Sequence, residues 1–269
     1  MVKLTFIGSG SAFTVGEDNF HSNAIIESSS GKRLLIDCGS DTRWALQKLG
    51  LSYKDIDAVY ISHLHADHVG GLEWLGLTRK FDPQCCKPDL YICDAIAQDL
   101  WNHTLSGGMR TLECRVADIH DFFDVQKLHA NGWFDWEGLR FSLVQTVHVV
   151  SGFEITPSFG LMFEAGNKNI YFTTDTQFAP SQLESFYNMA DLVFQDCETA
   201  TARSGVHAHY QQLLQLEPSI RKKMWLYHYN PGKLPSAKKD GFLGFVKRGQ
   251  VFEFGHVQSK SKSKPKSKS

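Results

Sequence analysis

Tyr60 to Gly71 read YISHLHADHVGG. Within six positions His63, His65, Asp67 and His68 gather three imidazoles and a carboxylate, directly after the apolar run DAVYIS. A short run rich in Val, Ile and Tyr predicts a buried strand, and here it ends where the polar cluster begins. Extended backbone turns residues two apart to the same side, so His63 and His65 point together. Asp67 and His68 fall in the following turn, and Gly70 and Gly71 allow that turn to press against a helix starting in VGGLEWLG. Imidazole and carboxylate donors suit zinc, with manganese or iron tolerated.

The same placement recurs downstream. His148 closes LRFSLVQTVH, Asp175 closes NIYFTTD, and His228 lies within KMWLYHY. Strand ends brought to one sheet edge form a rigid rim on which side chains can converge. Two divalent ions follow: His63, His65 and His148 for one, Asp67, His68 and His228 for the other, with Asp175 bridging. An oxygen held between them, water or hydroxide, is then the expected nucleophile. His21, His103, His120, His129 and His256 have nothing in the sequence that couples them to this cluster and read as surface or satisfied core residues. The adjacent Cys85 and Cys86 read as buried or loop thiols rather than ligands.

Strand-like runs (KLTFIG, NAIIES, KRLLIDCG, DAVYIS, DLYICD, LRFSLVQTVH, FGLMFEAG, NIYFTTD, ADLVFQD, KMWLYHY, QVFEFG) alternate with helical patterns in DTRWALQKLG, CDAIAQDLWNHTLSGG, APSQLESFYNMA and HAHYQQLLQLEPSI. That mixture predicts an α/β (α+β) chain with two sheets and helices packed outside them, and it shows no internal repeat. No Pro/Gly/Ser-rich linker divides the body, so one domain is expected over residues 1–257. From Gln258 the tail QSKSKSKPKSKS has no apolar residue and is expected to be disordered. The net charge is −1, and five lysines sit in that tail, which leaves −6 on the body. A protein gripping a polynucleotide through many phosphates usually carries a basic footprint, so no stable nucleic-acid partner is expected. Six cysteines without a CxxC pair fit reduced thiols, and neither a signal peptide nor a membrane span is apparent, which predicts a cytoplasmic protein.

HLHADH matches the HxHxDH signature of the metallo-β-lactamase superfamily, and LLIDCG, TVH, TTDT and LYHY resemble that fold's other landmarks in order. The resemblance covers the body from KLTFIGSGSA to about VFEFG. It implies an αββα sandwich of two mixed sheets with a dinuclear site, usually zinc, along one edge, and gives Asp37 of LLIDCG the task of steadying the ligand loop. Fold alone does not choose among lactams, thioesters and phosphodiesters.

DCETATARSGVHAHYQQL resembles the glutamate-plus-histidine motif of the tRNA 3'-processing endonuclease branch, ribonuclease Z. The resemblance implies that His207 reaches the scissile phosphate and that Glu198 orients it, with Asp67 catalytic as well as a ligand. An imidazolium there would assist the departing alkoxide, and a carboxylate behind it would hold its tautomer and raise its pKa. His209 competes with His207 for this place; the position of His207 in VHAHYQQL favours it. Ribonuclease Z enzymes of the bacterial type insert a tRNA-gripping arm between the strand-end histidine and the bridging aspartate, whereas here VVSGFEITPSFGLMFEAGNKNIYFTT leaves room for a loop and two strands only. The pattern SHLHADHVGGLEWLG, VHAHY and MWLYHYNPG resembles the compact anti-Pycsar cyclic nucleotide phosphodiesterases of phages and their bacterial relatives. That resemblance implies a homodimer hydrolysing 3',5'-cyclic nucleotides to 5'-monophosphates, in the host cytoplasm if a phage encodes it. The alternatives are a tRNA 3' endonuclease without the arm and a nucleotide-sequestering protein. Phe13, Trp74, Phe159 and Tyr229 lie near motif positions and read either as core or as platforms for a base.

Overall fold

Two seven-stranded sheets lie face to face in the computed structural model, which describes residues 1–15 and 18–255. The first half of the chain supplies β1 (Val2–Phe6), β2 (Ala24–Glu27), β3 (Arg33–Ile36), α1 (Thr42–Lys48), β4 (Ala58–Ile61), α2 (Ala66–Val69), α3 (Leu72–Phe81), β5 (Asp89–Cys93) and α4 (Asp94–Asp99). A π-helical stretch at Leu100–Leu105 joins α4 to α5 (Ser106–Met109), and the short pair β6 (Thr111–Leu112) and β7 (Arg115–Val116) leads to β8 (Asp124–Leu128). The second half supplies β9 (Trp133–Trp136), β10 (Leu139–Ser151), β11 (Glu154–Ala165), β12 (Lys168–Phe172), α6 (Pro180–Met189), β13 (Leu192–Asp196), α7 (Tyr210–Leu213), α8 (Pro218–Arg221), β14 (Met224–Tyr227), β15 (Gly244–Phe245) and β16 (Val251–Phe254).

The sheets run β16-β1-β2-β3-β4-β5-β8 and β15-β14-β13-β12-β11-β10-β9. In each, an antiparallel meander passes into parallel strands, at β3–β4 in the first and at β12–β13 in the second. The halves thus repeat one topology, although no repeat shows in the residues. The expected sandwich of two mixed sheets with helices outside is what the chain forms.

Period-two alternation sorts the layers. On β13 Phe194 faces the space between the sheets, where it meets Phe6 and Phe172, while Val193 faces outward to the cluster formed with Leu183, Tyr187 and Leu213 of α6 and α7. β4 is buried on every residue, as expected of a strand covered on both faces. Across the sheets the Tyr60 hydroxyl donates to the Phe159 carbonyl at 2.7 Å, and the Phe159 amide donates to the Ser62 carbonyl at 3.1 Å, fixing the β4 end against β11.

The expected helix over HAHYQQLLQLEPSI is instead two single turns, α7 and α8, because Pro218 starts a new helix and cannot continue the old one. Between His148 and Asp175 the chain holds the rest of β10, a tight turn at Gly152, then β11 and β12, with no inserted arm. The Lys/Ser tail and His256 lie outside the described residues.

Candidate active site

Three residues at the site break the backbone rule for L-amino acids. Asp37, Thr174 and His228 have φ of 62°, 54° and 63°. Asp37 and His228 immediately follow β3 and β14, and Thr174 follows the end of β12 by two residues. Left-handed backbone at a strand end swings the next side chain out of the pleat, and such outliers persist only where surrounding structure holds them. Thr174 is held by its hydroxyl, 2.8 Å from that of Ser158, and it delivers Asp175 to the rim. His148 is aimed by a different device: the β10–β11 register shifts between Val147 and Val149, and the bulge turns its ring inward.

The seven expected ligands meet there. Ligand atoms of His63, His65, His148 and Asp175 lie within 4.8 Å of one another, as do those of Asp67, His68, Asp175 and His228. His65 Nδ1 stands 3.2 Å from His63 Nε2 and 3.0 Å from His148 Nε2. Asp175 Oδ2 lies 3.7 Å from His63, 3.8 Å from His148, 3.2 Å from His68 and 3.3 Å from His228, so one oxygen belongs to both groups. Asp67 Oδ2 approaches His68 at 3.2 Å and His228 at 3.3 Å.

These groups fit divalent metal ions. Two nitrogens each about 2.0–2.1 Å from a tetrahedral zinc stand roughly 3.3 Å apart, close to the spacings seen between the imidazoles. His68 Nε2 and Asp175 Oδ1 are buried without a hydrogen-bond partner, a costly state for polar atoms unless an ion satisfies the site. Two outer nitrogens are already committed. His148 Nδ1 lies 2.9 Å from the Val206 carbonyl, which can only accept, and His68 Nδ1 lies 2.7 Å from Asp37 Oδ2. Asp37 in turn accepts from the amide and hydroxyl of Ser62 at 2.8 and 2.7 Å, so it ties the His63 and His68 segments together.

The two groups differ in protonation. Burial holds His63 and His65 below the ordinary imidazole value and brings His148 down to about 4. Burial acts the same way on His68 and His228, but Asp175, Asp67 and the carboxylates behind them outweigh it and push both well up. Asp67 and Asp175 lose more to burial than to any other single influence, yet their histidine neighbours together hold both below the usual carboxylate range.

The expected pairing of Glu198 with His207 does not form. Glu198 lies beyond the end of β13 in an isolated bridge with His209, and its carboxylate accepts from the Ser204 amide at 3.0 and 3.1 Å. His207 Nδ1 instead meets Asp196 Oδ2 at 3.0 Å. Burial opposes protonation of His207, and the charge and hydrogen bond of Asp196 overcome it, so its pKa is raised. His209 caps α7: its Nδ1 accepts from the Gln211 amide at 3.2 Å, and its Nε2 lies 2.9 Å from the Ala200 carbonyl. With both ring nitrogens engaged by backbone, His209 leaves the inner position to His207.

Among the aromatics, Phe159 is core, and Tyr229 has its hydroxyl 2.9 Å from Ser9 and donates it to the Val246 carbonyl at 3.0 Å. Trp74 packs edge-on against Tyr53, while Phe13 is 79 % exposed. No helix among the described residues is long and apolar enough to cross a membrane.

The family model described as "Anti-Pycsar protein Apyc1" matches residues 2–252. The chain belongs to this family. It is similar to the anti-Pycsar protein Apyc1 of Paenibacillus harenae, at 38 % identity covering 85 % of this chain and 90 % of the relative. A second relative of that description, from Bacillus phage vB_BveM-Goe7, is 33 % identical over 92 % of this chain and 96 % of its own. Among solved structures, the metallo-β-lactamase fold protein YhfI of Bacillus subtilis superposes with a TM-score of 0.72 at 19 % identity, covering 93 % of this chain and 98 % of that one. Human tRNase Z, short form, gives 0.67 at 18 %, covering 94 % and 99 %. At those identities the two structures speak to the fold, and the Apyc1 relatives to the family.

Proposed function

We propose that this chain is a dinuclear-metal phosphodiesterase that hydrolyses 3',5'-cyclic nucleotides to 5'-monophosphates and so depletes a cyclic nucleotide immune signal. The observation that carries the reading is the double ligand set sharing Asp175 Oδ2, with the imidazole of His207 backed by a carboxylate beside it. Membership of the anti-Pycsar family and the absence of an arm between His148 and Asp175 favour a small phosphodiester over folded RNA.

Zinc is the ion best matched by this histidine and aspartate set, with manganese next. His63, His65 and His148 would hold one ion, Asp67, His68 and His228 the other, and Asp175 both. Bound there, they would supply Lewis acidity at phosphorus and an activated water at neutral pH. The chain's own part is proton delivery. His207 has Nδ1 engaged by Asp196, which leaves Nε2 to give its proton to the 3' oxygen as the P–O3' bond breaks. The raised pKa of His207 keeps that proton in place further up the pH scale. All six cysteines are free thiols, which suits the reduced cytoplasm, and a homodimer at twice the 30.3 kDa chain mass is part of the same reading.

Parallel incubations of the zinc-loaded protein with cyclic UMP, cyclic CMP, cyclic AMP and a precursor tRNA test it by chromatography of the products. The expected outcome is 5'-monophosphates from the cyclic substrates and intact tRNA. Cleavage of the tRNA alone would make the chain an endonuclease, and recovery of uncut bound nucleotide would make it a sequestering protein.

A further inference from the structure

Asp196 ends β13 and is fully buried. One carboxylate oxygen, Oδ2, meets His207 Nδ1 at 3.0 Å and accepts from the Thr176 amide at 3.0 Å. The other, Oδ1, lies 3.4 Å from His228 Nδ1. Asp196 Oδ1 and His228 Nδ1 are both buried and no other group satisfies either, which leaves them facing each other across that 3.4 Å. The two rings stack at 4.6 Å between centroids and 28° between planes, presenting both Nδ1 atoms to the same carboxylate. Backbone fixes this geometry: Asp196 pairs with Tyr227 in the parallel β13–β14 register, one residue before the left-handed turn at His228.

Elsewhere in the site the outer nitrogens of His148 and His68 have separate partners, Val206 and Asp37. Here a single side chain faces two rings with different tasks. We propose that Asp196 is a positioning residue that holds the Nδ1–H of both His207 and His228, reserving Nε2 of His228 for the second ion and Nε2 of His207 for the substrate. On His228 the neutral imidazole has one N–H, so an acceptor fixed at Nδ1 orients the ring and leaves the Nε2 lone pair free for an ion; on His207 the same acceptor orients the imidazolium so that Nε2–H faces the substrate. His228 Nε2 is the atom 3.3 Å from Asp67 and Asp175, where a ligand lone pair is needed. The competing use of the same atoms is a third cation among Asp175, Asp196, His207 and His228.

The inference rests on the phosphodiesterase reading only for its turnover measurement. Proton NMR of the zinc-loaded protein should show, besides the resonances of His68 and His148, two further downfield, slowly exchanging imidazole N–H resonances, one absent in His207→Ala and the other in His228→Ala. In Asp196→Asn both should move upfield and exchange faster. That variant should bind the second zinc about 10–100-fold more weakly. At zinc concentrations that keep the second site filled, its kcat loss should be at least tenfold alone and nearly vanish in a His207→Ala background, because groups acting through one another are not additive. Absence of the two resonances from the unmodified protein overturns the inference whether or not the variant folds. So do unchanged resonances in Asp196→Asn, kcat losses that multiply, or a third zinc equivalent that Asp196→Asn abolishes. If no cyclic nucleotide is turned over, the phosphodiesterase reading fails while the resonances and zinc affinity still decide the role of Asp196.

Discussion

His207 and His209 are two residues apart, yet their surroundings separate them. His207 faces Asp196 and Asp175, whereas His209 has both nitrogens on backbone at the start of α7. His207→Ala should therefore leave both ions bound and slow turnover by roughly two to four orders of magnitude. His209→Ala should cost about 1 kcal/mol of stability through the lost cap and far less turnover. Metal analysis beside steady-state kinetics and urea melts checks both, and metal loss in His207→Ala would remove it from the proton-donor role. The seven candidate ligands were legible because dense spacing and strand-end position coincide in the sequence. Asp196 was legible in the same way, closing ADLVFQD as Asp175 closes NIYFTTD, but the motif resemblance drew the reading to Glu198. Residues 196 and 198 share parity along an extended chain, so only the point where the backbone leaves the sheet chooses between them. That point is set by the Glu198 amide bonding to the Ala208 carbonyl, a long-range contact with no local signal.

At the level of elements, the ligand turn is held by its neighbour as well as by its own sequence. The chain after β3 zips onto α2 through Cys38 N to His68 O at 2.7 Å, Ser40 N to Ala66 O at 3.1 Å and Gly71 N to Cys38 O at 2.8 Å. Asn23 braces both sides, giving its amide to the Asp67 carbonyl at 3.0 Å and accepting from the Thr42 hydroxyl at 2.8 Å. A Cβ on Gly39 would sit 2.1 Å from the Asp67 carbonyl oxygen, and backbone cannot yield as a flexible side chain can. Gly39→Ala should cost about 1–3 kcal/mol and weaken the ion held by Asp67. Urea melts with and without zinc measure this, and a variant with unaltered stability and zinc affinity would show the zipper to be slack. The sequence pointed to close packing at Gly70 and Gly71 but could not reveal Gly39 as the partner, since the contact joins loops from two different strands. Strands β8 and β9 escaped notice for a related reason: DVQKL and WFDW mix charge and aromatics in edge positions, where packing decides more than propensity.

Across the whole molecule, the two ligand groups should load unlike each other. His63, His65 and His148 are held below their ordinary values, so near pH 7 they are neutral and bind an ion without giving up protons. His68 and His228 are raised, and an ion entering beside Asp67 must displace protons from them. Zinc added stepwise to metal-free protein in weak buffer with a pH indicator should release few protons at the first equivalent and more at the second. Affinity for the second ion should climb from pH 6 to 8. Stability without metal runs the other way. Because the folded values of His68 and His228 exceed the unfolded value of about 6.5, their ion pairs stabilise fully below that pH and fade as pH rises through the folded values. Asp67 and Asp175, lowered in the fold, contribute above about 3.9 and lose that contribution only in acid. The melting temperature of metal-free protein should thus decline from pH 6 to 8 while that of zinc-loaded protein does not, so calorimetry should find the gap between them widening. A gap that narrows, or equal proton release at both steps, would mean that the two halves of the rim do not carry the opposite protonation that their carboxylates impose.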